Sequence, residues 1–257
     1  MASAIDSDRS GSYITNPLVI NFMSTSKPVS KNSSTAPVRH ERRKDARPGE
    51  LLAAALDLFV ERGFAATRVE EVAARAGVSK GTLFLYFASK DDLFKAVVRE
   101  NISGRFPQWN VAIEAFDGST ADMLRHVMNL WWERLGSTKA SGITKLMLSE
   151  AKNFPELAAF YQQEVMQPAH ELIRRILQRG VDRGEFAPMN MKYTVYAVLA
   201  PMLFLQLMMH ASQACCDSAD ALQLVPEEYL AAQVQTLLEG LRLRPPSPAS
   251  DKGLSSL

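Results

Sequence analysis

From about residue 48 onward, apolar positions recur at helical spacing, and strand alternation is absent. Leu52, Leu56, Phe59 and Val60 stand at i, i+4, i+7 and i+8 and predict a helix over about residues 48–62 with one apolar face. Pro48 suits its first turn, where a missing N–H costs nothing. Gly63 suits the position just past its end. Three short helices follow. Thr67-Arg68-Val69-Glu70 reads as a capping box, with the Thr67 oxygen accepting a backbone N–H and Glu70 reaching back, and opens a helix to about Ala76. Gly77 supplies a turn, Ser79 caps a helix to about Phe87, and Ser89-Lys90-Asp91-Asp92 opens another. Beyond residue 105 the periodic stretches lengthen, predicting helices over about 119–136, 140–152, 155–184, 189–212 and 226–242. Pro155, Pro188 and Pro226 mark starts or the turns before them. Pro168 and Pro201 lie inside otherwise helical stretches and are expected to kink or split them.

The fold class is therefore all-α. Residues 1–46 are rich in Ser, Thr, Asn, Pro and Lys without any period, and are expected to be a disordered extension. Residues 245–257, with Pro245, Pro246 and Pro248, read as a disordered tail. Between them, the short helices occupy 47–93 and the long ones 94–244.

Composition changes this picture little: 47% hydrophobic and 22% charged residues are ordinary for a globular chain. The net charge of +1 announces no nucleic acid, but its distribution is uneven. Residues 39–105 carry 13 Lys and Arg against 10 Asp and Glu, whereas residues 106–257 carry 13 against 16. The basic end is at the front. The cysteines, Cys215 and Cys216, are adjacent, form no disulfide framework or CxxC pair, and fit a reducing cytoplasm. The apolar run over residues 14–23 is broken by Asn16, Pro17 and Asn21 and does not read as a secretory signal. The stretch 195–209 is too short for a transmembrane helix and contains Pro201 and Gln206, so no membrane partner is expected.

Residues 69–87 carry the chemistry. A helix-turn-helix needs a small side chain where its helices approach, which Ala73 provides, and a turn residue tolerant of positive φ, which Gly77 provides. Val72, Ala76, Val78 and Leu83 supply the inner apolar faces. That spacing alone fits either a DNA-binding motif or a helical hairpin in an ordinary α-domain.

The surrounding string is more specific. Residues 53–98 contain LFVERGFAATRVEEVAARAGVSKGTLFLYFASKDDLF, which resembles the N-terminal signature of the TetR/AcrR family across nearly its whole length. The resemblance implies a three-helix DNA-binding domain followed by a variable helical domain for ligand binding and dimerisation. It implies that Thr67 and Arg68 meet phosphates and that Ser79, Lys80, Gly81 and Thr82 begin the recognition helix in the major groove. Lys80 is the candidate base reader, since Lys donates to guanine O6 or N7. Gly81 lets backbone approach DNA, and Tyr86 and Lys90 grip phosphate, Lys90 at a helix N-terminus. One position departs from the pattern: Phe84 stands where the family usually has Tyr. Without the hydroxyl, Phe84 either contacts sugar or a thymine methyl, or packs in the core. Arg39, Arg42, Arg43, Lys44 and Arg47 form either a basic arm for the minor groove or phosphates, or a solvated run diluted by Glu41 and Asp45.

The remainder carries no catalytic, phosphate-binding or dinucleotide motif, so neither an enzyme nor a cofactor is expected. His40, His126, His170 and His210 are too scattered to suggest a metal. Trp131, Trp132, Met147 and His170 are the candidate lining of a pocket for a largely apolar or aromatic effector, although each residue also suits an ordinary core position. Residues 193–209 are uncharged, so their helix is apolar on more than one face. By the family pattern this helix and the last one form a four-helix homodimer interface. The expected function is a regulator on a near-palindromic operator, most simply a repressor released by its effector, with activation as a variant. The alternative is an architectural or division-site DNA-binding protein without an effector.

Overall fold

The computed structural model describes residues 38–214 and 224–241, and all regular structure among them is helical. Helix α1 spans Val38–Ala66, so residues 38–46, expected to be disordered, are helical, and Pro48 lies inside the helix. The physical reason is local. Residues 38–46 contain neither Gly nor Pro to interrupt a helix. Residues 1–37, the tail 245–257, and Cys215 and Cys216 lie outside the described residues. The regular course of α1 breaks at Gly63, whose φ of 85° and ψ of 168° suit glycine alone.

Helix α2 spans Val69–Arg75 and α3 spans Lys80–Phe84. The cap of α2 differs from expectation. Arg68 is its N-cap, and the Glu71 carboxylate accepts the Arg68 N–H at 3.3 Å. The Thr67 hydroxyl instead faces the carbonyls of Gly63 at 2.7 Å and Leu58 at 3.1 Å, because the break at Gly63 leaves carbonyls of the last α1 turn without helical donors. The other two caps stand where expected: Ser79 Oγ accepts the Thr82 N–H at 3.1 Å, and Ser89 Oγ accepts the Asp92 N–H at 3.0 Å. Helix α4 spans Lys90–Asn101.

Helix α5, Phe106–Glu114, has no counterpart in the sequence reading. Helix α6, Thr120–Trp131, runs on through a π-turn at Trp132–Gly136, and α7 spans Ser141–Glu150. Helix α8, Pro155–Tyr161, passes through a second π-turn at Gln162–Met166 into α9, Gln167–Asp182. Pro168 explains the second irregularity: it cannot donate to the Glu164 carbonyl and crowds it. Helix α10, Met191–Ala214, continues through Pro201, and α11 spans Pro226–Leu241.

The side chains form two cores. The first joins α1–α4 to Leu135, Ile143, Leu146, Met147, Leu157, Tyr161 and Val165, and so does not stop at residue 93. The second is built from α5, α6, α9, α10 and α11. Both π-turns lie where the chain crosses between cores. Trp132 belongs to the second core and Leu135 to the first; Val165 belongs to the first and Leu172 to the second. Trp131 packs against both.

Helix α10 also corrects the expectation for residues 195–209: Met191–His210 is long and apolar enough to cross a membrane by length and composition. Its Val195, Val198, Met202 and Leu205 are buried in the second core.

Candidate nucleic-acid interface and effector cavity

The α2–α3 joint is built as its residues require. Val72, Ala73 and Leu83 are fully buried between the helices. Gly77 adopts φ 68°, and the Val78 N–H donates to the Ala73 carbonyl at 2.9 Å, closing a tight turn. The leading end of α3 is left in solvent, with Ser79, Lys80 and Gly81 exposed and nothing crowding the α-carbon of Gly81 beyond Ser79 Oγ at 3.7 Å. The Thr82 hydroxyl lies 2.9 Å from Ser79 Oγ. Lys80 Nζ sits 2.6 Å from Glu70 Oε1 and 5.7 Å from the Phe84 ring centroid. The Lys80 hydrogen bond holds the Glu70 carboxyl below the usual carboxylate range. An exposed pair of this kind is weak in water, so an incoming phosphate or guanine displaces it at little cost.

Phe84, Leu85 and Tyr86 extend this surface, at 42%, 83% and 37% exposure. Phe84 is therefore not a core residue; from this run Leu83 is buried in the joint and Phe87 packs against the core. Leu85 carries no signal in the sequence, because residues 83–87 are apolar throughout and only Leu83 and Phe87 of them turn inward.

Two predicted contacts are turned into the fold. Thr67 is 1% exposed, with its hydroxyl on α1 carbonyls. Lys90 Nζ donates to the carbonyls of Phe64 at 2.8 Å, Thr67 at 3.1 Å and Ala65 at 3.3 Å, and lies 4.4 Å from the Phe64 ring centroid. An ammonium has three hydrogens, and all three are committed. The carbonyls released at Gly63 point toward the start of α4, which draws Lys90 inward. Neither side chain is presented for phosphate. Arg68 remains exposed beside them.

The second core holds a cavity of about 40 Å³ beneath α5, walled by Phe106, Trp109 and Ile113 of α5, by Met123 and Trp131 of α6, and by Met202 of α10. Its one titratable wall residue is His126, stacked on Phe116 at 5.8 Å. Of the four residues expected to line a pocket, Trp131 lies on this cavity's wall. Trp132, one residue on and so turned away, faces Leu230 and Val234 of α11. Met147 is buried in the first core. His170 lies between wall residues Ala169 and Leu172, but its ring packs edge-on against Tyr196 at 4.9 Å, and burial lowers its pKa. The sequence did carry a signal for the missed α5 wall: Phe106, Trp109, Ile113 and Phe116 recur at helical spacing.

Arg174, Arg175, Arg179 and Arg183 of α9 and its end line a groove that shares Ile113, Phe116 and Met123 with the cavity, against Glu114 and Asp182. Arg179 donates to the carbonyls of Gly118 at 2.9 Å and Phe116 at 3.3 Å, fastening the α5–α6 connection to α9. On α10, Tyr193, Tyr196 and Phe204 form an exposed stripe on the side away from the buried residues.

The geometry has its counterpart among known proteins. Residues 51–97 match the family model described as bacterial regulatory proteins, tetR family, and residues 117–225 match the tetracyclin repressor-like C-terminal domain. The chain is 24% identical over 155 residues to the HTH-type transcriptional regulator YdeS of Bacillus subtilis, covering 60% of this chain and 75% of that one. It is 27% identical over 148 residues to the HTH-type transcriptional repressor KstR2 of Mycobacterium tuberculosis, covering 56% and 71%. The fold resembles that of the transcriptional regulator FadR from Bacillus subtilis, solved in complex with stearoyl-CoA, with a TM-score of 0.63 at 18% identity over 76% of this chain and 99% of that one. The two family models join an N-terminal regulatory domain to a tetracyclin repressor-like C-terminal domain in the order found here, and the chain belongs to the tetR family of bacterial transcription regulators.

Proposed function

We propose that this chain is a cytoplasmic, homodimeric repressor whose affinity for a near-palindromic operator falls when a small, largely apolar effector enters beneath α5. Arg68, Ser79, Lys80, Gly81, Thr82, Phe84 and Tyr86 form the DNA-facing set, and the exposed stripe of α10, with α11, forms the dimer interface. The DNA-binding unit begins near residue 47 and the effector and dimerisation unit occupies 94–244, with the first core packed across their junction.

The observation that carries the effector reading is the size of the cavity. About 40 Å³ is far below the ~300–1,000 Å³ of occupied ligand sites. A ligand therefore enters by moving the walls apart, and one of them, α6, runs directly into the π-turn that joins the first core. Ligand binding and the placement of the helix-turn-helix are coupled by that continuity, as a population shift requires. The apolar walls suit a molecule with a hydrocarbon body. The stearoyl-CoA bound to the Bacillus subtilis FadR makes acyl thioesters the first compounds to test.

The test is a selection of duplexes from a random library with the full chain, followed by titration of medium- and long-chain acyl-CoAs into the complex. Release of the operator together with a raised melting temperature of the free protein supports the reading. Selection of a palindrome that no such compound releases sinks the effector class, and genomic occupancy at many scattered sites favours an architectural protein instead.

A further inference from the structure

Glu150, the last residue of α7, accepts the backbone N–H of Phe64 on one carboxylate oxygen at 2.9 Å and that of Ala65 on the other at 3.1 Å. These N–H groups follow Gly63, where α1 breaks. The approach is so close that a Cβ on Gly63 would collide with the carboxylate. From the other side, Lys90 donates to the carbonyls of Phe64, Ala65 and Thr67. The Phe64 ring packs against Phe59, Phe94 and Phe154 at 5.6, 5.4 and 4.8 Å. The turn that launches α2 is thus held between an anion from α7 and a cation from α4.

Helix α7 touches the effector region at its other end. Ser141 Oγ lies 2.9 Å from His210 Nε2 on α10, the helix that supplies Leu199 and Met202 to the cavity wall. Along its length α7 lies directly on α1, where a Cβ at Gly142 would collide with Val60. The helix is a rod with one end against the cavity-lining helix and the other on the turn that sets the angle of α2 and α3.

We propose that Glu150 is a positioning residue for operator recognition: it fixes the tilt of the helix-turn-helix against the dimerising helices, and so the half-site spacing that the dimer accepts. This rests on the dimeric-regulator reading above. Charge-assisted bonds to two consecutive N–H groups define the turn in two directions, and losing them frees it to tilt. In a two-fold dimer, that tilt sets the distance between recognition helices.

The experiment compares wild type with Glu150→Ala and Glu150→Gln in the full chain. It uses the operator selected by wild type and derivatives whose central spacer is one base pair longer or shorter. Expected for Glu150→Ala is a loss of about tenfold in the preference for the native spacer, as the two N–H groups lose their acceptor. Dimerisation and affinity for random duplex should stay at wild-type levels. Glu150→Gln, which keeps one acceptor oxygen, should fall between, and stands in if the alanine variant does not fold. An unchanged spacer preference in a folded variant overturns the proposal. So does an affinity loss equal across all spacers, which marks a purely structural role. If wild type itself selects no palindrome, the dimeric-regulator reading fails, and this proposal with it.

Discussion

Arg175 on α9 holds α5 by two residues at once: one guanidinium nitrogen lies 3.0 Å from Asn110 Oδ1 and the other 3.0 Å from Glu114 Oε1, a full turn further along the same helix. The clasp straddles the outer side of the helix that roofs the cavity. Removing it as Arg175→Ala should loosen the roof while costing little stability, since Glu114 is mostly in solvent. The expected outcome is a several-fold rise in binding of an apolar fluorescent dye, with the melting temperature within a few degrees of wild type. Dye binding equal to wild type would count against α5 as the movable cover.

Lys80 and Lys90 occupy neighbouring motif positions and should respond oppositely. Lys80→Ala should weaken operator binding about tenfold and lower the salt dependence by about one counterion, because the ammonium is exposed and free to exchange partners. Lys90→Met should leave the salt slope of the remaining folded protein intact and instead destabilise the fold by about 1–3 kcal/mol, as three carbonyls lose their donor. Anisotropy titrations at several ionic strengths, with urea unfolding, separate the two effects.

Phe204→Arg places a cation at the C-terminal end of the exposed stripe of α10. A buried, unpaired charge is costly, so the variant should be monomeric at micromolar concentration with its helical content intact. Light scattering coupled to gel filtration reads this directly. A dimer that survives both Phe204→Arg and Tyr196→Arg would move the interface elsewhere.

Two half-buried imidazoles, His170 on α9 and His210 on α10, set an acid limit. Burial holds His210 below its ordinary pKa, with the nearby Lys145 charge acting in the same direction, and burial does the same at His170. A folded pKa below the unfolded value of about 6.5 means that the unfolded chain takes up the proton first as pH drops. Their stabilising contribution is complete above that value and is lost as pH falls through the folded pKa values. The melting temperature should therefore fall as pH drops below about 6.5, and less steeply in His210→Gln.

Much of this architecture was legible in the order of residues because the signals were local. Ser79 and Ser89 cap helices through their own third neighbours, Gly77 turns the joint, and Pro168 disrupts the ladder beside it. Thr67 and Lys90 were misread for the converse reason. Their partners are carbonyls freed by a break at Gly63, and nothing adjacent to Lys90 in sequence reveals that it faces a turn 23 to 26 residues earlier. The pocket was only partly legible: Trp131 and Trp132 are indistinguishable by composition and differ only in the direction each takes from the helix. Met147 was unreadable for a further reason, since the first core reaches past the helix-turn-helix to recruit α7 and α8.

A π-turn is an α-helix carrying one surplus residue. Its migration by one position rotates a side chain by about 100° without unravelling either flanking helix. Because Trp132–Gly136 and Gln162–Met166 both sit at the crossing between the cores, each crossing carries a spare residue in its helix. Deleting a single amino acid within Gln162–Met166 would take out the surplus residue and leave an ordinary α-helical turn, so a change of helix length has a built-in place to be absorbed.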